Sequence, residues 1–253
     1  MPKLDSAVEP QNDPSLTSHF LPGGNERAMD ELFDRTKRCL AERLRLEPVE
    51  LPPSLAHITL PLKIFDLRCY NWKAERIRKI YFMRIKVAVP FLDIFGMAIY
   101  PDATTDMPDF AFDFSCTKKK VFGYVNCIPL FSDGAYRERY IAPMQSVRER
   151  CGTFTPQTVR EWMMPYHTPY TIYTFPPTSY LPELKKCAFA YMQFYLDLFE
   201  RAAAITDHVY AARVEEARRA YVGALLSNDN SQKMLGKIIG RARARRLFHE
   251  VVT

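Results

Sequence analysis

Glycine is scarce in this chain of 253 residues, which carries nine in all. No G-x-G-x-x-G follows a strand-like run and there is no Walker loop, so a backbone cradle for phosphates is not expected. The G-x-S-x-G elbow of hydrolases and the H-E-x-x-H of zinc proteases are missing too. The six cysteines (Cys39, Cys69, Cys116, Cys127, Cys151 and Cys187) show no C-x-x-C spacing and no close histidine. That argues against a zinc or iron–sulfur centre, and they read as thiols, most of them small core residues. No apolar run reaches the roughly 18 residues a membrane span needs. The opening MPKLDSAVEP lacks the basic-then-apolar pattern of a signal peptide. Together these absences lead to the expectation of a soluble, cytosolic protein, whose chemistry uses ordinary side chains or a substrate that brings its own reactivity.

Hydrophobic residues make up 47% of the chain, enough for a sizeable core, and the net charge of +6 favours an acidic partner. Residues 1–24, rich in Pro, Asn, Asp and Ser, read as a flexible N-terminal arm, and 25–253 as one domain. In NERAMDELFDRTKRCLAERL, Met29, Leu32, Phe33, Thr36, Leu40 and Leu44 recur at helical spacing. The middle reads as short strands, IYFMRIKVAV, LDIFGMAIY, DFAFDFSC and VFGYVNCI, spaced by turn-forming YPDATTDMP and TKKK as in an antiparallel meander. LPELKKCAFAYMQFYLDLFERAAA and DHVYAARVEEARRAYVGALL predict two long helices. SNDNS supplies N-cap chemistry for a final helix over QKMLGKIIGRARARRLFHEVV, in which GKIIG reads as close helix packing. Helices on both sides of a meander predict a three-layer α/β/α sandwich with a central, mainly antiparallel sheet.

The stretch DMPDFAFDF, residues 106–114, carries the chemistry most worth weighing. Strand alternation sends Phe110, Phe112 and Phe114 to one face and Asp109, Ala111, Asp113 and Ser115 to the other. A carboxyl on the inner face of a central strand loses solvation, so its pKa rises and it can hold a proton near neutral pH. The competing reading is that Asp109 or Asp113 pairs with an arginine or caps a backbone amide. Asp106, ahead of the strand, reads as a turn residue. His57, His208 and His249 stand alone and read as structural or exposed. His167 differs, because MPYHTPYTIYTF is aromatic enough to line a substrate loop. RARARR at 241–246 reads first as a solvated helical face, then as a docking surface; nucleic acid comes last, since no recognition module accompanies it.

The order of these motifs resembles the ferredoxin-dependent bilin reductases, which make phycobilin and phytochromobilin pigments from biliverdin. RKIYFMRIKV is similar to that family's first pocket strand, and LDIFGMAIYPDATTDMPDFAFDF to its strand–turn–strand ending in D-x-P-x-F-x-x-D. REWMMPY resembles the stretch before the substrate loop, and AYVGALLSNDNSQKMLGKIIGRARARRLFHEVV the C-terminal helix pair. The resemblance implies an α/β/α sandwich that binds biliverdin IXα between sheet and C-terminal helices. It also implies that the protein itself holds no metal or organic cofactor, that reduced ferredoxin supplies single electrons, and that the protein supplies protons to a bilin radical. Ferredoxin, an acidic protein, would dock on a basic surface; a heme oxygenase or a bilin-accepting protein is a further expected partner. The location implied is cytoplasmic, or plastid stroma.

By the same resemblance Asp113 falls on the catalytic proton donor. Arg160 falls on a propionate-binding arginine, and Asn228 and Asp229 on a polar pair at the helix break. Tyr81, Met83 and Gly96 stand where members that reduce the D-ring vinyl group carry His, Glu and His, and Met234 where A-ring-reducing members carry an aspartate. One surviving acid implies a two-electron reduction, with 15,16-dihydrobiliverdin as the expected product. Tyr81 is left with two readings, a substitute donor or a ring that shapes the pocket; a phenol near pKa 10 is a poor acid at pH 7. The lost donors also allow a non-reducing bilin carrier on the same fold.

Overall fold

The computed structural model describes residues 24–253. The expected arm over 1–24 therefore lies outside the described residues except for Gly24. In chain order the elements are α1 (Gly24–Arg43), β1 (Glu47–Val49), α2 (Pro53–Ala56), β2 (His57–Thr59), β3 (Phe65–Ala74), β4 (Ile77–Val87), β5 (Leu92–Pro101), β6 (Asp109–Cys116) and β7 (Val121–Ile128). There follow α3 (Gly134–Tyr136), continued by a π-helical turn over Arg137–Ile141, α4 (Met144–Glu149), and β8 (Ile172–Thr174). Last come α5 (Leu181–Arg201), α6 (His208–Asn228), α7 (Asn230–Ile239), α8 (Arg241–Leu247) and a π-helical turn over Phe248–Val252.

One eight-stranded sheet runs β1-β3-β4-β5-β6-β7-β8, with β2 also paired to β3, and every pairing is antiparallel. Strands β3 to β7 form the expected meander, because short turns can only return the chain alongside itself. β5 lies at its centre and is buried along nearly its whole length. On one face, Phe82, Phe95, Phe110, Phe112 and Phe114 meet α1, α4 and α5 in the main core. Each such ring stabilises the fold by about 1.5–3 kcal/mol through apolar area removed from water. α5 supplies Leu184, Ala188, Tyr191 and Tyr195 at spacings of three and four, all buried. The other face carries Leu67, Met83, Ile85 and Ile94 under Leu235, Leu247, Phe248 and Val251 from the C-terminal helices. The expected three-layer α/β/α sandwich is the observed architecture.

Two local expectations fail. The final helix is not continuous: Gly240 takes φ +89°, a left-handed region that side chains avoid, and divides α7 from α8. A Cβ on Gly236 would meet Arg241 and Ala244 at ordinary contact distances of 3.6 to 3.9 Å, so close packing does not explain GKIIG; the turn at Gly240 does. The strand β3 was not expected at all. RARARR does form a solvated helical face, with Arg241, Arg243, Arg245 and Arg246 exposed and Ala244 and Leu247 turned inward.

Candidate active site

Between the polar face of the sheet and the helices α6 and α7 lies a cavity of about 260 Å³. β4 contributes Tyr81 and Met83, β5 Tyr100, β6 Asp113, and β7 Phe122 and Tyr124. These residues share a face because antiparallel register sets Asp113 opposite Gly96 on one side and Tyr124 on the other. The roof is the aromatic segment around Trp162, Tyr166 and His167, together with Tyr221 and Leu225 of α6 and the α6–α7 junction at Asp229 to Ser231.

Asp113 is half-buried in this aromatic surrounding. Ser115 Oγ donates to its Oδ1 at 3.2 Å, and among the described residues no lysine, arginine or histidine forms an ion pair with it. Burial, with a smaller contribution from the negative charge of Asp229, pushes its pKa up to about 7, while the Ser115 hydroxyl works the other way. Gly96 makes this position available: a Cβ there would stand 3.0 Å from Asp113 Oδ2. The group is therefore an acid with a proton to give near neutral pH, facing apolar rings.

Asp109 lies on the same face of the same strand and is wholly buried, yet it has the other fate considered for these acids. Arg218 Nε donates to its Oδ1 at 3.1 Å. Burial raises its carboxyl as well, with Arg218 opposing the rise. Asp106, read as a turn residue, does lie in the connection ahead of β6, but it is more than that. It is buried and accepts from the Tyr140 hydroxyl, from the Tyr210 hydroxyl at 2.9 Å and from Arg139 at 3.3 Å.

The other sequence candidates divide into those that meet at the cavity and those that do not. Tyr81 and Met83 line it. Tyr81 stacks on Tyr100 with ring centres 6.2 Å apart, and burial lifts its phenol well above the ordinary range. It is thus a poorer acid than a free tyrosine. Arg160 lines the cavity at its exposed edge, where the Asn230 amide oxygen, turned toward it, accepts from both terminal nitrogens at 3.0 and 3.1 Å. Asp229 lines the cavity and caps α7 through Ser231 N at 2.6 Å. Gly96 lies beside Asp113 rather than on the cavity wall. Asn228 is exposed and donates to the Ala224 carbonyl of its own helix at 2.9 Å. Met234 is also exposed, and neither it nor Asn228 lines the cavity. The polar pair at the cavity is Asp229 with Asn230, one residue later than the sequence resemblance implied.

Sequence reasoning missed Tyr100, Tyr124 and Tyr221 as cavity residues, whereas Tyr173 belongs to the aromatic segment expected to line the substrate loop. The signal for the first two was their alternation with core residues on β5 and β7, which is visible once the cavity face is known. His167 does line the cavity, its ring 5.8 Å from Tyr124 and 5.6 Å from Tyr173. Burial lowers its pKa, so it is neutral at pH 7 and no rival to Asp113 as the acid.

The family model for ferredoxin-dependent bilin reductases matches residues 33–252. The chain belongs to this family. The reductase is 25% identical over 188 residues to the 15,16-dihydrobiliverdin:ferredoxin oxidoreductase of Gloeobacter violaceus, covering 73% of this chain and 77% of that one. It is 23% identical to the protein of the same name from Nostoc punctiforme, covering 83% of this chain and 88% of the other. Phytochromobilin synthase from tomato, solved with biliverdin, shares the fold with a TM-score of 0.77 at 19% identity, over 87% of this chain and 80% of that one. Family and relatives make the protein a ferredoxin-dependent bilin oxidoreductase, as the sequence implied. Among the described residues no helix is long and apolar enough to cross a membrane.

Proposed function

We propose that this reductase takes biliverdin IXα as substrate and reduces it by two electrons, delivered one at a time by reduced ferredoxin, to 15,16-dihydrobiliverdin. The observation that carries this is Asp113, a carboxyl without a cationic partner among the described residues, raised to about 7 and facing an aromatic cavity. The overall change consumes two electrons and two protons. An electron added to the conjugated tetrapyrrole raises its basicity. The Asp113 O–H bond then breaks as a C–H bond forms on the bilin, and a carboxylate is left behind. Burial and Asp229 disfavour that carboxylate, so it regains a proton from solvent and the acid is reset for the second transfer.

The neighbouring residues fit supporting roles. Arg160, held by Asn230, presents a guanidinium fork suited to a propionate carboxylate. Tyr81 shapes the wall and does not substitute as donor, because its phenol is shifted away from neutrality. Two relatives named for 15,16-dihydrobiliverdin support the regiochemistry.

The test is an anaerobic assay with biliverdin IXα, ferredoxin, its reductase and NADPH, run beside Asp113→Asn and read by absorbance and chromatography. The expected result is conversion of the red-absorbing substrate to a shorter-wavelength product that co-elutes with 15,16-dihydrobiliverdin, with Asp113→Asn stalled. Bound but unchanged biliverdin, with an electron supply verified on a known reductase, would overturn the proposal.

A further inference from the structure

Few side chains of α6 are buried, Val214, Arg218 and Tyr221, and in its first turn Tyr210 donates its hydroxyl to Asp106 at 2.9 Å. Arg218 makes most of the helix's polar contacts to the β5–β6 region. Its guanidinium donates to Asp109 Oδ1 at 3.1 Å and to the carbonyls of Asp102 at 2.8 Å, Thr105 at 3.1 Å and Met107 at 2.8 Å. One planar fork thereby ties the helix to three carbonyls of the β5–β6 connection and to the first residue of β6. Tyr221, three residues on, and Leu225, seven on, fall on the same helix face and line the cavity roof. Tyr221 also packs edge-on against Tyr166 of the roof segment, ring centres 4.9 Å apart.

We infer that Arg218 is a positioning residue for the bilin. It touches no substrate, but fixes the rotation and height of α6 so that Tyr221 and Leu225 close the cavity over Asp113. The chemistry favours this role over that of a simple ion pair. A lysine would place one charge opposite Asp109, but a single ammonium has three donors and cannot serve the four acceptors that the guanidinium reaches. The charge and the clamp are thus separable by substitution. The inference rests on the proposed function in one respect, that a bilin occupies this cavity.

The experiment compares the full chain with Arg218→Lys, using biliverdin IXα as the probe. The measurements are the dissociation constant and absorption spectrum of the bound bilin, the KM and kcat with saturating ferredoxin, and thermal melting. With the clamp lost and the charge kept, KM and dissociation constant rise by about tenfold, kcat changes by less than about threefold, and the bound absorption band shifts. In combination with Tyr221→Ala the effects on affinity are less than additive, because both act on one wall. A lower melting temperature with unchanged affinity, KM and spectrum overturns the inference, as does a fall in kcat at constant KM or strict additivity with Tyr221→Ala. If Arg218→Lys does not fold, Asp109→Asn/Arg218→Gln, which leaves no unpaired buried charge, takes its place with the same readouts. A wild-type protein that binds no biliverdin overturns the proposed function along with this inference; one that binds it identically to the variant overturns this inference alone.

Discussion

Asp109 and Asp113 stand four residues apart on one face of one strand, yet one is an anchor and the other an acid. What separates them is what covers each. Over Asp109 lies Arg218, whose charge opposes the effect of burial and whose fork binds the neighbouring loop. Over Asp113 lie aromatic rings, a serine hydroxyl and a second carboxylate, none of which offers a positive charge, and its pKa is pushed up to about 7. Burial acts on both groups, and the presence or absence of a guanidinium decides which of them can release a proton in a working pH range.

The sharpest way to break the comparison is Asp113→Asn, which keeps the shape and removes the proton. Turnover in the anaerobic assay is expected to fall by at least about 100-fold. The matching change at the other end, Asp109→Asn, leaves Arg218 buried without its counter-charge. Thermal and denaturant unfolding should show a loss of about 3 kcal/mol, with bilin reduction still detectable at low temperature where the fold persists. If Asp113 instead proved the more costly residue for stability, the assignment of roles would be reversed.

Stability against pH sharpens the contrast further. The folded pKa of Asp113 lies above its unfolded value of 3.8, so the native state binds this proton more tightly than the unfolded chain does. Its contribution is most favourable below about pH 4 and declines as pH rises toward 7. Asp113→Asn should therefore be more stable than the wild type at pH 8 by about 1–3 kcal/mol, with the difference gone near pH 4. Denaturant titrations at the two pH values check it. The rate should decline in the same sense, as pH passes above about 7 and the acid empties.

Smaller effects are expected from the residues beside the acid. Gly96→Ala sets a methyl 3.0 Å from Asp113 Oδ2 and forces the carboxyl aside by a few tenths of an ångström. A fall in kcat of about three- to tenfold with the fold retained is expected, and unchanged kinetics would show that the carboxyl has room to spare. Ser115→Ala removes a hydroxyl that favours the ionised carboxylate. The alkaline limb of the rate profile should then move to higher pH, the smallest of these changes, and a move to lower pH would contradict the assigned hydrogen bond.

Much of the fold was legible where pattern and environment agree. DFAFDFSC and VFGYVNCI match β6 and β7 residue for residue, because strict alternation and flanking turn residues leave little choice of register. β3 was illegible for the opposite reason: FDLRCYNWKA carries Asp66, Arg68 and Lys73, which are tolerated because Asp66 pairs with Arg68 and His57 and because Lys73 is exposed. The strands β1, β2 and β8 are too short to announce themselves and exist only through their partners. Gly240 marked the break in the last helix, yet a lone glycine does not say whether it ends a helix or sits within one.

For the site, the sequence by itself determined that β6 carries a buried acidic face, that one of its acids matches a family's proton donor, and that Tyr81, Met83, Arg160 and Asp229 are candidates to surround it. Local pattern suffices for this, since alternation and motif spacing are properties of contiguous residues. It could not determine which aspartate would be neutralised, because Arg218 comes 109 residues after Asp109 and 105 after Asp113, and either reach was open. Nor could it tell that Asn230 rather than Asn228 faces the cavity, since that depends on where α6 ends and α7 turns. Only the tertiary structure decides such questions, because a carboxyl's pKa is set by the charges and solvent within a few ångströms of it in space, whatever their distance along the chain.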